Sequence, residues 1–259
     1  MERFTDIENV REIFKYLKND IPVYYYDTIN STNARAKLFC ESHQDMDINA
    51  LFVANHQSEG RGRLGRSFYS PSDTGLYMSL LTTPPKDTSD MVCLTTAAAV
   101  CVTRALEELC DIKPQIKWVN DIYLGSKKVC GILCEAVTSD KTNAIDYVVI
   151  GIGVNISTTD FPTEISGIAT SIGQDINRNE LCAKITDNLI DMKRTIAYRS
   201  FIDEYKAHSL VLGKEITYTQ NGETKSATAI DIDRNGGLVI KTESGIDTLS
   251  TGEITVRVK

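Results

Sequence analysis

Two apolar runs near the middle of the chain constrain its fold most. Lys128–Val137 reads Lys-Val-Cys-Gly-Ile-Leu-Cys-Glu-Ala-Val, and Tyr147–Ile156 reads Tyr-Val-Val-Ile-Gly-Ile-Gly-Val-Asn-Ile. Their β-branched content makes them neighbouring strands of a buried sheet. Gly131, Gly151 and Gly153 interrupt them from within. Glycine in a strand interior costs stability, so three in two strands need a reason. A flat ligand resting on the sheet is one, and bulges are the other. Both stay open at this point.

The rest of the chain supplies helices to cover that sheet. Met1–Asp20 has Val10, Ile13, Phe14 and Leu17 at helical spacing, and Pro22–Tyr26 is an aromatic strand. A helix follows to about Cys40, with Ser31 or Thr32 as its N-cap. Ala50–Ala54 and Gly75–Leu81 are further strands. The longest helix spans Asp90–Leu109, with Ser89 as cap and Leu94, Ala98, Cys101, Ala105 and Leu109 along one stripe. Two strands within Gln115–Leu124 meet at Val119-Asn120-Asp121. Asn179–Arg199 and Ser200–His208 are helical. Beyond Gly213 the texture changes to short strands punctuated by Asn221-Gly222, Asn235-Gly236-Gly237 and Ser244-Gly245. That pattern predicts an α/β domain over 1–212 and a small all-β domain over 213–259.

Charge and cysteine usage exclude several classes. The chain of 259 residues carries formal charge −7, which argues against a general nucleic-acid binder, so an anion site must be local. Met1–Asp20 is charged throughout and no apolar run reaches the length of a bilayer span. The seven cysteines form no C-x-x-C pair, and most lie in apolar segments. They read as reduced core thiols of a cytoplasmic protein. The three histidines are scattered, without zinc-ligand spacing.

Against that acidic background, Gly60–Arg66 places three glycines and three arginines in one short loop. Between Ala50 and Ser70 the only acid is Glu59. Such a loop lets backbone N–H groups and guanidinium forks approach an anion closely. Its bland reading is a solvated turn. Further along, Lys117, Asn120 and Asp121 cluster at one strand junction, while Lys128 alone would pass for a solubilising lysine on a strand edge. The hydroxyls of Ser31 and Thr32 are helix caps first and ligand donors second.

The order of these segments carries more than any one of them. Ser31-Thr32-Asn33 comes first, followed by Gln57-x-x-Gly60-Arg61-Gly62-Arg63-x-Gly65-Arg66. Lys117-Trp118-x-Asn120-Asp121, Lys128-x-x-Gly131-Ile132-Leu133-x-Glu135 and Gly151-x-Gly153-x-Asn155 complete the series. In that order and spacing they resemble the biotin protein ligase family, over nearly the whole chain from Tyr24 to Gly252-Glu253-Ile254. Two positions depart: Val119 stands where the family usually has proline, and Phe68 where many members have tryptophan.

The resemblance implies a mixed sheet backed by helices, like class II aminoacyl-tRNA synthetases, with an SH3-like barrel at the C-terminus. It implies a ligase that joins biotin to ATP as biotinyl-5′-AMP, then hands biotin to a lysine of a carboxyl carrier protein. ATP with Mg²⁺ is expected, and no tightly bound prosthetic group. By resemblance Lys128 and Arg63 are catalytic. Ser31, Thr32, Asn33, Gln57, Gly60, Arg61, Gly62, Arg63, Lys128, Gly131 and Gly151 hold biotin. Arg63, Arg66, Phe68, Lys117, Trp118, Asn120, Asp121 and Asn155 hold the nucleotide, with Asp121 also on Mg²⁺. About twenty residues precede the first strand, which matches the monofunctional type, without sequence-specific DNA binding or membrane attachment. Monomer and homodimer both remain open. Lipoate–protein ligases, related in fold but lacking this Gly-Arg repeat, and a non-enzymatic anion-binding module are the alternatives.

Overall fold

A computed structural model of the chain describes residues 7–42, 48–84, 88–138, 145–220, 222–250 and 255–258. The elements run in the order α1 (Ile7–Phe14), β1 (Val23–Ile29), α2 (Thr32–Glu41), β2 (Ala50–Gln57), β3 (Gly75–Thr82) and α3 (Thr88–Leu109). β4 (Gln115–Lys117), β5 (Asp121–Leu124), β6 (Lys127–Thr138), β7 (Ile145–Asn155), α4 (Thr163–Ser166), α5 (Arg178–Thr195) and α6 (Phe201–Ala207) follow. The chain then forms β8 (Glu215–Gln220), β9 (Glu223–Ile232), β10 (Leu238–Thr242), β11 (Gly245–Leu249) and β12 (Thr255–Val258).

The described strands build a seven-stranded sheet ordered β1-β2-β3-β7-β6-β5-β4 and a five-stranded sheet ordered β11-β10-β9-β8-β12. In the large sheet β1 and β2 are parallel, joined by the crossover through α2, and every other pair is antiparallel. The expected mixed sheet backed by helices is therefore present. The second sheet is antiparallel throughout, in keeping with an SH3-like unit.

Strand alternation sorts the large sheet into two unlike faces. Leu51, Val53, Val148, Ile150, Ile152 and Val154 point into the main core beneath α3 and α5. That core runs on without interruption into Ile216, Ala229, Leu238 and Ile240 of the second sheet. On the other face Phe52, Ala54, Tyr147 and Val149 meet Ala36 and Cys40 of α2. Tyr24 stacks on Phe52 at 5.0 Å and Phe39 closes edge-on at 5.5 Å, each such ring pair adding about 0.5–1.5 kcal/mol beyond its buried area. α2 covers this face as far as Gly151, against which its Asn33 lies, and leaves Gly131 and Gly153 to another cover.

Caps and ties fix the helices. Ser31 takes the N-cap of α2 and accepts from the Ala34 amide at 3.5 Å. Asn177 caps α5 by accepting from Asn179 and Glu180, an arrangement worth about 1 kcal/mol. Buried Asp187 of α5 accepts from the backbone of Lys18 and Asn19, anchoring the segment after α1.

Some sequence expectations shift. The first helix covers Ile7–Phe14 rather than the whole of Met1–Asp20, and residues 1–6 lie outside those described. α3 starts at Thr88, so Ser89 sits inside the helix instead of capping it. Gly252-Glu253-Ile254 lies outside the described residues. Backbone pairing also removes the edge reading of Lys128. Its N–H donates to Ile168 and its carbonyl accepts from Thr170, both at 2.8 Å, so an irregular segment after α4 clamps this end of β6.

Candidate active site

Register sets the floor of the site. Gly131 lies directly across from Gly153, and Leu133 across from Gly151. Tyr77 and Ser79 of β3 oppose Gly153 and Gly151 from the other side. The three glycines therefore share one face and form a trough in the sheet surface. What fills the trough is protein. A Cβ on Gly151 would lie 2.1 Å from Asn33 Oδ1, and one on Gly153 would lie 2.5 Å from the Phe68 ring. At Gly131 the nearest atom is Lys128 Nζ, at 3.0 Å. The side of Gly151 that a Cβ would occupy faces the Asn33 amide, and Gly151 also lines the pocket described below. No bulge falls on these glycines themselves: the β6–β7 register shifts between Val137 and Thr138, and the β5–β6 register shifts between Ile122 and Tyr123, opposite Cys130 and Lys128.

The roof is the glycine–arginine loop, folded as a small hairpin. Phe68 N–H donates to Gly60 at 2.8 Å, Gly62 N–H to Arg66 at 2.7 Å, and Arg66 N–H to Arg63 at 3.2 Å. Gly60 has to be glycine, since a Cβ would stand 2.3 Å from the Phe68 carbonyl. Positive φ falls on Gly65 (71°) and on Leu64 (57°), while Gly62 is extended. A left-handed leucine costs about 1–2 kcal/mol. The loop bends there to present Arg63 inward and leave Leu64 half exposed.

Cations gather at one end of the pocket. Arg63 Nη1 donates to Asn120 Oδ1 at 3.2 Å, and Asn120 Nδ2 donates to the Ile132 carbonyl at 2.6 Å. Burial lowers the Arg63 pKa from its ordinary value, with Asp121 pulling the other way. Lys128 Nζ lies 2.6 Å from Asp121 Oδ1, an ion pair without a well-angled hydrogen bond to that oxygen. Nζ is also 6.0 Å from the Phe68 ring centre. Lys117 Nζ sits over the Tyr123 ring at 5.4 Å. Burial, then the charge of Asp121, pushes the Tyr123 hydroxyl up to about 12, so it stays protonated beside that lysine.

The opposite end is neutral and densely hydrogen-bonded. Gln57 Oε1 accepts from the Thr32 amide at 2.8 Å and from the Thr32 hydroxyl at 3.1 Å. Gln57 Nε2 donates to Ser70, which donates to the Phe68 carbonyl. Asn33 Nδ2 donates to Glu135 Oε2 at 2.8 Å, and Asn33 Oδ1 accepts from Ser79 at 2.6 Å.

One pocket joins the two ends. It is lined by Ser31, Thr32, Asn33, Gln57, Arg61, Gly62, Arg63, Arg66, Phe68, Lys117, Trp118, Asn120, Asp121, Lys128, Gly131 and Gly151. Two expected residues stay off its wall. Gly60 shapes the hairpin from behind, and Asn155 is buried at the end of β7, its Nδ2 donating to Thr170. Gly153, Leu64, Ser67, Met78 and Leu133 line the pocket without having been singled out as site residues. Gly153 is the third interior glycine, Leu133 belongs to the Lys128 motif, and Leu64 and Ser67 lie in or beside the glycine–arginine loop; Met78 carries no local signal. The Trp118–Val119 peptide at the rim is cis.

Comparison with known proteins agrees with this geometry. Residues 25–155 match the biotin/lipoate A/B protein ligase family, and residues 211–257 match the biotin protein ligase C-terminal domain. The bifunctional ligase/repressor BirA of Bacillus subtilis is 32% identical over 248 residues, covering 89% of this chain and 72% of that protein. The biotin–[acetyl-CoA-carboxylase] ligase of Mycobacterium tuberculosis is 27% identical, covering 86% and 85%. A biotin protein ligase from Aquifex aeolicus, solved with biotin and ATP, superposes with TM-score 0.75 at 29% identity, covering 92% of this chain and 99% of that one. Arginine loop, glycine trough and C-terminal sheet thus occur together for a family reason: the chain belongs to the biotin/lipoate A/B protein ligase family and carries the C-terminal domain of biotin protein ligases.

Proposed function

We propose that this chain is an ATP-dependent biotin protein ligase acting in the cytoplasm. The observation that carries the reading is the polarity of the pocket. Arg63 and Lys128 stand at one end, and the amide and hydroxyl groups of Gln57 and Thr32 at the other. Biotin has a matching polarity, with a carboxylate at one end and a cyclic urea at the other.

In the first step a carboxylate oxygen attacks the α-phosphorus of ATP, a P–O bond forms, and pyrophosphate leaves. Carboxylate and triphosphate repel each other, so the protein's task is to hold positive charge where they meet. Lys128 would bridge the biotin carboxyl region and the α-phosphate, and Arg63, held by Asn120, would stabilise the charge developing on the phosphoryl oxygens. Arg61, Arg66 and Lys117 add field from the loop and the strand junction. Phe68, Trp118 and Gly131 supply apolar walls. In the second step a carrier lysine amine attacks the mixed anhydride and AMP leaves, which requires no nucleophile of the enzyme.

Mg²⁺ would enter with the triphosphate. Among the described residues lining the pocket, Asp121 is the one carboxylate, and no group of three or more acids, histidines or cysteines is poised to hold a metal. A single carboxylate beside substrate phosphates suits Mg²⁺, which keeps most of its waters. We assign catalysis to 1–212 and a supporting role to the small domain over 213–259. The acceptor is a biotin carboxyl carrier protein or carboxylase subunit. The cytoplasmic setting rests on seven cysteines without a C-x-x-C pair, six of them buried.

Incubation with labelled ATP and biotin, without acceptor, tests the reading. Biotinyl-AMP retained by the protein is expected. Adenylate formed from lipoate or octanoate but not from biotin would move the substrate to the other branch of the family.

A further inference from the structure

Glu135 belongs to the Lys128 motif, yet the reaction just described gives it nothing to do. It does not line the pocket, and neither do Lys37 or Ser79. These three are nonetheless connected to the neutral end through one continuous set of polar contacts.

The chain starts at an ion pair, Lys37 Nζ to Glu135 Oε1 at 2.5 Å. The other carboxylate oxygen receives Asn33 Nδ2. An ionised carboxylate only accepts, so it dictates which way the Asn33 amide faces. With Nδ2 committed to Glu135, and more distantly to the Leu133 carbonyl at 3.4 Å, Oδ1 must face Ser79. A carbonyl oxygen cannot donate, so the single Ser79 proton is used on Asn33. Ser79 is fully buried. Its oxygen can then only accept from Thr32 Oγ1, 2.7 Å away. The other neighbour of that hydroxyl, Gln57 Oε1, is an acceptor too. Whichever of the two receives the Thr32 proton, that proton stays inside the protein. Thr32 is left with lone pairs for the pocket.

We propose that Glu135, steadied by Lys37 and acting through Asn33 and Ser79, is a positioning residue that fixes Thr32 as an acceptor and so selects ligands bearing a ring N–H. This rests on the biotin reading and deepens it. A cyclic urea offers two N–H donors, whereas a dithiolane or an alkyl chain offers none. A site whose buried polar groups are arranged to meet an N–H rejects analogues that leave them unpaired. Gly151 has a part in the device, because any Cβ there would displace the Asn33 amide.

The test measures binding of biotin, of biotin methylated at either ring nitrogen, and of ATP, by calorimetry on the full chain. Wild type and the variants Glu135→Gln, Ser79→Ala and Lys37→Met are compared, with thermal unfolding as a fold check. Gln can present either an oxygen or an N–H to Asn33, so Glu135→Gln releases the amide to turn. Biotin affinity should fall about tenfold in Glu135→Gln and Ser79→Ala, while ATP affinity changes less than about twofold. The ratio of methylated-biotin to biotin Kd should be large in wild type and shrink in both variants. A merely structural role would not move that ratio. Lys37→Met, at a half-buried site, should shift it the same way by about threefold and serves if Glu135→Gln unfolds. An unchanged ratio in the folded variants overturns the inference alone. Failure of wild type to bind biotin overturns the biotin reading and this inference together.

Discussion

Lys128 and Asp121 neutralise each other across 2.6 Å inside the pocket. The lysine proposed to meet the α-phosphate and the acid proposed to meet Mg²⁺ are thus each other's partners. When an anionic nucleotide and its metal arrive, each can exchange this contact for a fuller charge. The pair stores the two groups in position and keeps either from standing half-buried and uncompensated.

Lys128→Ala should therefore slow adenylate formation by ~10²–10³-fold, the usual effect of removing one preorganised donor at a developing charge. The fold should survive, because the backbone clamp between Lys128 and residues 168–170 is independent of the side chain. Single-turnover formation of labelled adenylate measures the effect. A near wild-type rate would remove Lys128 from the chemistry.

Gly153→Ala should push the Phe68 ring off the sheet, since the new Cβ would start 2.5 Å from it. Overpacking of this kind costs ~1–3 kcal/mol, and ligand affinity should drop about tenfold. The same change in a Phe68→Ala background should cost much less, because the clash is gone. Denaturant unfolding of the four proteins gives the coupling directly. Additive costs would mean that the ring is not seated on Gly153.

The loop offers trypsin three sites, Arg61, Arg63 and Arg66, behind a few backbone hydrogen bonds. Cleavage there needs the hairpin to open. Biotin with ATP at about a hundred times Kd should slow it by about a hundredfold if opening precedes cutting. Equal rates with and without ligands would show that the loop does not close on them.

His208 gives a pH signature away from the site. Burial lowers its pKa, but the Glu204 carbonyl and the Glu107 carboxylate at 3.0 Å outweigh that, and the net shift is upward. A pKa raised on folding adds stability that is complete below about pH 6.5 and is lost as pH rises through the folded value. The Tm difference between wild type and His208→Gln should accordingly be larger near pH 5.5 than near pH 8.5. A difference that grows with pH would reverse the assignment.

How much of this could be read from the residues alone differs by kind of feature. Strands with strong β-branched runs, such as Tyr147–Ile156, and helices with clear stripes, such as α3, were legible to within a few residues. Helix starts were less so: Ser31 is the cap it looks like, whereas Ser89 is overrun by the helix it was expected to begin. Sixteen of the eighteen expected site residues line one pocket, because motif order carries information about convergence that no single motif holds. Gly60 and Asn155 line no part of it, since glycine and asparagine serve tight turns and buried carbonyls as readily as ligands. Ser79 escaped notice for a different reason. A lone serine in an apolar strand has no pattern, and its meaning appears only when Asn33 and Thr32, more than forty residues earlier, arrive against it.

Trp118 lines the pocket, and its buried indole N–H donates to the carbonyl of Gly236, in the turn between β9 and β10. That turn is held by the Asp233 carboxylate, which accepts from Asn235 and Gly237. One wall of the reaction chamber is thus hung from the second sheet. Cutting the chain after Leu212 would not trim an appendage; it would leave an orphaned donor inside the chamber and a tryptophan free to leave the wall. The second sheet is in that sense the keystone of the cavity, and the two sheets stand or fail as a single vessel.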